Sequence, residues 1–403
     1  MYNNQKPRLH ALPQQSTQEL DELHQKIRIH RIRIIILALA LASVCIIAVN
    51  VVILYLDRIT YTKYEVVEQL QQADTEAAGF EQYCGDVLKY TRDGAVCSSL
   101  SGSIIWNQTY EMETPCITIC EEYLAIYEKG GSQIYIMNTE GLQGTINTII
   151  PIQCVSVANQ GTVAVLMEES GTSYLHMYSR SGKQLASGEL HIENSGYPLD
   201  IALSNDAQKL AVSMLDINEG NVKSAVVFYN YGAVGQNEID NIVGSYSYSN
   251  MVIPSIRFVS NDRLLAFGDT EVIIYEGKQK PAVAQEINIS EEIRSIYYND
   301  QYFGLVFNKE ASAKGYHTTV YNMKGTEVLE LDFALDYTKI HFLANNLICI
   351  RNENQCVLYT LKGSKRFSYT FDRNIYEIMS GNGQRDYLFI LNGETSRVRL
   401  TNE

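Results

Sequence analysis

The sequence predicts an all-β protein built from repeated four-stranded units, preceded by one apolar helix. Three observations lead there. Beyond residue 80 the helical period of apolar residues gives way to short alternating runs separated by Gly, Asn, Asp and Ser. One such unit recurs along the chain. And residues 34–56, IIILALALASVCIIAVNVVILYL, carry no charge.

The uncharged stretch comes first in the chain. Its 23 residues would span roughly 34 Å as a helix, enough to cross a hydrocarbon core of about 30 Å. Lys26, Arg28, His30, Arg31 and Arg33 stand ahead of it. The excess of basic residues orients residues 1–33 toward the cytoplasm and the remainder outside, in a single-pass topology at the cell (plasma) membrane. A cleaved signal peptide is the competing reading, but the apolar run is long for one and 33 residues precede it. Ser16 to Glu19 fits a capping box, with Leu20, Leu23 and Ile27 following at helical spacing. A helix starting there would run directly into the span, behind a disordered start over residues 1–15. Within the span Asn50 is the one strongly polar side chain.

Residues 57–79 read as a short helical stalk. Ile59, Lys63, Val66, Leu70, Ala73 and Ala77 recur at alternating spacings of three and four. Whether such a stalk would dimerise is open.

From residue 80 to 403 the repeats take over. PLDIALSNDAQKLAVS (198–213) parallels PSIRFVSNDRLLAFGD (254–269), and RSIYYNDQYFGLVFN (294–308) parallels TKIHFLANNLICIRN (338–352). A polar turn after the opening strand falls near Glu121, Asn159, Asn205, Asn261, Asn299, Asn345 and Asn382. The gaps are 38, 46, 56, 38, 46 and 37 residues, a mean of 43.5. Four strands at that period are the signature of a β-propeller, WD40-like or quinoprotein-like. The third strand of each unit runs into Gly, as in QIYIMNTEG, YLHMYSRSG and VLYTLKG, where the turn needs positive φ. The first unit lacks a clear opening strand and the last lacks a closing one. The two ends are therefore expected to complete one another, giving seven or eight blades, with eight the preferred count. The longest unit carries two insertions, near Asp216 to Lys223 and Val234 to Ser249.

Charge narrows the function classes. The formal net charge is −14. Residues 1–56 carry +3, so the rest carries −17. An acidic repeat domain argues against nucleic acid as a partner, because phosphate binding draws on Lys and Arg. No catalytic constellation is visible: there is no nucleophile elbow, P-loop, dinucleotide fingerprint or His-Glu-x-x-His. No catalytic, cofactor-binding or metal residue is therefore assigned, no cofactor is expected, and the binding residues stay unknown. His176, His191, His317 and His341 fall in different units and read as surface or strand-packing residues. Outside the span lie Cys84, Cys97, Cys116, Cys120, Cys154, Cys349 and Cys356; seven is odd, so at least one is unpaired. Cys349 with Cys356 and Cys84 with Cys97 are possible pairs, and small buried core residues are the alternative. Asp216 to Asn221 has a superficial likeness to a calcium loop, but Gly220 stands where an oxygen ligand is needed, and a hairpin turn accounts for it.

Taken together, the basic tail and span from Lys26 to Leu56, DVLKYTRDG with SIIWNQTYE at the domain start, and repeats such as SNDAQKLAVS resemble the uncharacterised membrane-anchored propeller proteins of clostridial Gram-positive bacteria. The resemblance implies a fold and a topology and supplies no activity.

The expected function is a non-catalytic binding or scaffold module at the cell envelope, with a protein or envelope component as partner. The alternatives are an enzyme using the axial funnel and a sensor signalling through the short tail. A quinone enzyme should show a docking Trp in each blade, and the chain has one Trp, Trp106. A chain beginning near Thr75 is expected to fold by itself as a soluble, β-rich monomer.

Overall fold

The alternating runs fold into four-stranded antiparallel meanders, and eight of these stand around a common axis in the computed structural model. It describes residues 14–57, 59–70, 79–191, 196–218, 220–309 and 314–402. The β-propeller occupies the compact unit 60–403, and the helix belongs to a separate one. Blades 1 to 7 span residues 79–109, 115–147, 152–191, 197–249, 255–288, 293–333 and 339–370. In each, the chain runs from the axial strand outward.

Blade 8 is assembled differently. Its inner three strands are Ile375–Ser380, Asp386–Leu391 and Glu394–Thr401, and its outermost strand is Lys63–Leu70. This strand pairs antiparallel with Glu394–Thr401, from Lys63 opposite Thr401 to Leu70 opposite Thr395. The ring is closed by hydrogen bonds between the two ends of the domain, as the missing closing strand of the last unit foretold. The partner segment is not the one expected. Blade 1 has its own opening strand, Gly79–Tyr83, so the closing strand comes from the stretch read as a helical stalk.

That correction has a physical cause. Outer strands are bulged in all eight blades, with a register shift near the start of each outer strand in blades 1 to 7. The closing strand shifts likewise between Val66 and Glu68. A bulge inserts one residue and interrupts the period of two. The residues of this strand that turn inward are Tyr64 and Leu70, six apart across the bulge, while Lys63 and Val66 of the apparent helical seam are exposed. Bulges also twist an exposed edge away from foreign strands. Ala73, Ala77 and Thr75 lie outside the described residues, as do residues 1–13 and the side chain of Asn50.

The core is divided rather than central. Each apolar cluster joins two neighbouring blades: Leu88 and Trp106 meet Leu124 and Ile126, Val165 packs with Ile134, and Phe228 with Ile256 and Tyr275. Between blades 7 and 8 the seam is aromatic. Tyr64 of the closing strand lies 5.1 Å from Tyr369, 5.8 Å from Phe371 and 5.1 Å from Phe389. One blade cannot bury both faces, so stacking in a closed ring is what stabilises each.

Turn glycines behave as the sequence suggested. Gly182 and Gly363 have φ of 80° and 78°. A Cβ on Gly182 would sit 2.4 Å from the carbonyl oxygen of Thr145, in the blade before. The insertion at Asp216 to Lys223 is the tip of a hairpin whose strands, Lys209–Asn218 and Asn221–Asn230, run ten residues each. The second insertion is smaller than expected: two 3-10 turns cover 235–241, and Ile242–Ser249 is the blade's own fourth strand.

The helix runs unbroken from Gln14 to Asp57. Its stretch His24–Ala48 is long and apolar enough to cross a membrane and is unburied. It is a candidate single-pass anchor or signal sequence.

Removing the closing strand should destabilise the ring. A chain starting at Thr60 is expected to melt cooperatively, monitored by circular dichroism, whereas one starting at Gly79 should melt lower and aggregate through the freed edge of Glu394–Thr401. This replaces the expectation for a chain beginning near Thr75. Tyr64→Ala should cost about 2 kcal/mol in chemical denaturation, the value for a half-buried ring in an aromatic cluster.

Candidate functional site

The axis of the ring is where polar residues converge, because the inner strand of each blade runs along it with an unpaired edge. Several inner strands place a charged residue there in an otherwise apolar run: Glu81, Asp200, Arg257, Lys339 and Glu377. They fall into two groups.

One group crosses blades 3 to 6. Asp200 accepts the backbone N–H of Ile201 at 2.9 Å and that of Ile256, in the next blade, at 2.9 Å. The thiol of Cys154 donates to it at 3.3 Å. Arg257 donates through Nε to the Tyr298 hydroxyl at 2.8 Å. Burial raises the Asp200 carboxyl above its usual range despite these donors. Burial, followed by the Asp200 charge, pushes the Cys154 thiol up to about 12. Burial thus favours the protonated thiol over the thiolate.

The other group joins blades 7, 8 and 1 around Glu377, which is 3% exposed. Lys339 approaches it most closely, with Nζ 2.6 Å from Oε2 of Glu377 and 3.7 Å from Oε1 of Glu81. His341 Nε2 is 3.3 Å from Glu377 Oε1. Arg351 Nη2 is 3.5 Å from Glu377 Oε2, and the guanidinium also donates to the carbonyls of Ile375 at 3.2 Å and Tyr376 at 2.7 Å. Burial alone would raise Glu377, but the basic groups around it, His341 once protonated in acid and Lys339 and Arg351 throughout, outweigh it and hold the carboxyl below its usual range. Burial drives His341 down to about 4 against the pull of Glu377. The imidazole is therefore neutral near pH 7, and its Nδ1 is buried without a hydrogen-bond partner.

Beside this group opens a cavity of about 440 Å³, lined among others by Glu81, Asn299, Asp300, His341, Phe342 and Glu377. At this mouth the recurring polar turns link blade to blade. Glu121 accepts from the side-chain amides of Asn159 at 3.3 Å and Asn205 at 3.1 Å. Asn261 accepts from the backbone of Asp206 at 2.8 Å, and the Asn299 amide donates to Asn346 at 2.7 Å. Several of the turn residues that revealed the repeat thus carry hydrogen bonds between blades.

The histidines do not gather at the axis. His176 stands between Tyr174 and Tyr178, and His317 stacks on Phe307 at 5.0 Å; both lie on third strands. The side chain of His191 lies outside the described residues. His341 alone of the described three lines the cavity, which departs from the strand-packing reading. The cysteines are present as thiols. Cys349 and Cys356 are in contact at 3.8 Å in the core of blade 7. Cys84 is exposed in a turn, Cys97 is buried on the third strand of blade 1, and Cys116 and Cys120 share the inner strand of blade 2. Among the described residues no three His, Cys, Asp or Glu side chains are grouped to hold a metal ion.

Residues 57–400 match the profile of a protein family described as a family of unknown function (DUF5711). No curated protein sequence matches significantly. Among solved structures, the C-terminal WD40 domain of Sif2 superposes with a TM-score of 0.55 at 14% identity, covering 85% of this chain and 99% of that one. BamB from Moraxella catarrhalis gives a TM-score of 0.47 at 11% identity, covering 84% of this chain and all of that one. Likeness at these identities speaks to the fold alone.

Glu377→Gln leaves Lys339 and Arg351 without their buried counter-charge. It should cost about 3 kcal/mol of stability near neutral pH, read by urea denaturation. The folded pKa of His341 is depressed, so the unfolded chain binds the extra proton. Stability should fall as pH drops from about 6.5 toward 4 and be fully present above that window. His341→Gln should flatten this part of the acid limb.

Proposed function

This chain belongs to the family of unknown function DUF5711, and we propose that it acts as a membrane-anchored, non-catalytic binding or scaffold module facing outside the cell. One observation carries the reading: the ring's closing strand begins six residues after the end of the only described helix apolar enough to span a membrane. Anchor and binding ring are thus joined through the strand on which the ring depends.

The chemistry of the axis supports a non-catalytic role. Glu377 is engaged by three basic groups, and the Cys154 thiol is held protonated. The contact surface belongs to the loops at the ring's two ends. The blade 4 hairpin projects furthest in strand length and carries Ile217 at 66% exposure. The acidic balance favours a protein or envelope component over nucleic acid.

Two measurements test this. Crosslinking of the full-length protein in its native membrane, followed by mass spectrometry, should capture a discrete partner through loop residues such as those flanking Ile217. A membrane-impermeant maleimide applied to intact cells should modify Cys84, which is exposed. Modification of Cys84 only after lysis would overturn the outward orientation.

A further inference from the structure

The chain enters the ring at a fixed point. Thr60, Tyr61 and Thr62 precede the closing strand and are already fastened to blades 7 and 8. The Tyr61 N–H donates to the Arg366 carbonyl at 2.9 Å, and the Tyr61 carbonyl accepts from the Ser368 N–H at 3.3 Å. The Thr60 hydroxyl donates to the Lys365 carbonyl at 2.7 Å, and the Thr62 N–H to the Asn402 side chain at 3.1 Å. The Tyr61 ring is buried, with the Arg366 guanidinium carbon 5.3 Å from its centroid. Three peptide steps separate Thr60 from Asp57, the last residue of the helix, a reach of at most about 11 Å. With the apolar helix as a membrane anchor, the reading on which this inference rests, the point of entry is held close to the bilayer.

That point belongs to one side of the ring. The first and third strands of a blade run in the same direction, so the turns that follow them share one side. The turns after the second strands and the links between blades share the other. Lys63 opens an outer strand, so the chain enters on the side of the turns that lead into outer strands.

The two sides differ in charge. Residues 179–183, 277–281, 323–326 and 360–364 are such turns in blades 3, 5, 6 and 7. They carry Arg180, Lys183, Lys278, Lys280, Lys324 and Lys362, all exposed, and no carboxylate. Lys63 and Lys365, also exposed, lie at the point of entry. Exposed aliphatic side chains stand just beyond the turns at Ile104, Leu185 and Val328. Carboxylates in the matching turns are confined to blades 2 and 4, at Glu140, Glu238 and Asp240, and Glu238 is paired with Lys280. Glu121, Glu122, Asp206, Asp262 and Asp300 of this side belong to turns after the inner strands, beside the axis. On the opposite side, the described links between blades carry Glu111, Glu113, Glu291, Glu292, Asp336 and Asp372 against Arg373 alone. Exposed lysines interspersed with aliphatic side chains match an anionic lipid surface, which attracts the one side and repels the other.

We infer that the ring rests its basic rim, at blades 6 to 8, on the anionic headgroups of the leaflet from which its helix emerges, and turns its acidic side away from the membrane. The hairpin tip with Ile217 follows a second strand and so lies on the acidic side. A partner held by that hairpin is met away from the lipid.

The test is lysine acetylation by a water-soluble reagent, read by mass spectrometry, on the full chain in lipid nanodiscs. One set of discs is phosphatidylcholine alone and the other also contains phosphatidylglycerol. Lys63, Lys324, Lys362 and Lys365 should label about fivefold more slowly in the anionic discs, the factor that one lysine gains at an anionic surface. Salt at about 1 M should abolish the difference. Lys129 and Lys314, exposed in turns of the opposite side, should label equally in both. Equal labelling of the four rim lysines in the two kinds of disc, or equal slowing of Lys129 and Lys314, would overturn the inference. Recovery of the chain with the discs tests the anchor separately. A chain found outside them overturns the anchor reading, and a chain found in them with unprotected rim lysines overturns only the orientation inferred from it.

Discussion

Everything in the ring depends on the pairing of Lys63–Leu70 with Glu394–Thr401. The apolar clusters lie between blades, so each is complete only when its neighbour is in place. A ring has no end blade to cap, and a single open seam would expose two apolar faces at once. Hydrogen bonds across one blade thereby hold all eight seams shut. The aromatic group around Tyr64 and Phe389 adds packing at the same place.

The seams are also fastened by polar contacts, and their positions explain much of the charge in the interior. Ser213 of blade 4 donates to the carbonyl of Ile253 in the link to blade 5, and Lys209 reaches Asp262 of blade 5 at 3.1 Å. Ser295 and Tyr337 meet between blades 6 and 7 at 2.7 Å. Glu377 does the same between blades 7 and 8 with three basic partners. Such groups add directionality that apolar packing lacks. Removing one partner is costly because the other is left buried and uncompensated. His341 is the exception, with a buried Nδ1 that makes no hydrogen bond.

The repeat was legible because the polar turns and third-strand glycines answer to local geometry, which a sequence displays directly. The exchange between the chain's ends was legible from the last unit, which lacks a closing strand, whereas the first unit, read as incomplete, has all four of its own strands. The identity of the closing strand was not: Lys63–Leu70 carries a bulge, and its spacing of Lys63, Val66 and Leu70 is what a helix would show. The axial group was missed for a different reason. Lys339, Arg351, Glu377 and Glu81 are distant in sequence and meet only through the ring's curvature. A signal did exist in each strand, a lone charge amid apolar neighbours as in IYEIMS and TKIHF, but nothing in one strand says what the charge will face.

The closing strand also sets an order in time. Leu70 and Glu394 are separated by about 320 residues, so at roughly 5–20 residues per second the first strand waits on the order of half a minute for its partner to be synthesised. Seven blades can form meanwhile by local hairpins, each paired with the strand just made. The waiting strand carries Lys63, Glu65 and Glu68, charges that discourage pairing with a stranger's edge. Maturation of this ring is a delayed, long-range event whose first participant is made before every other strand of the ring.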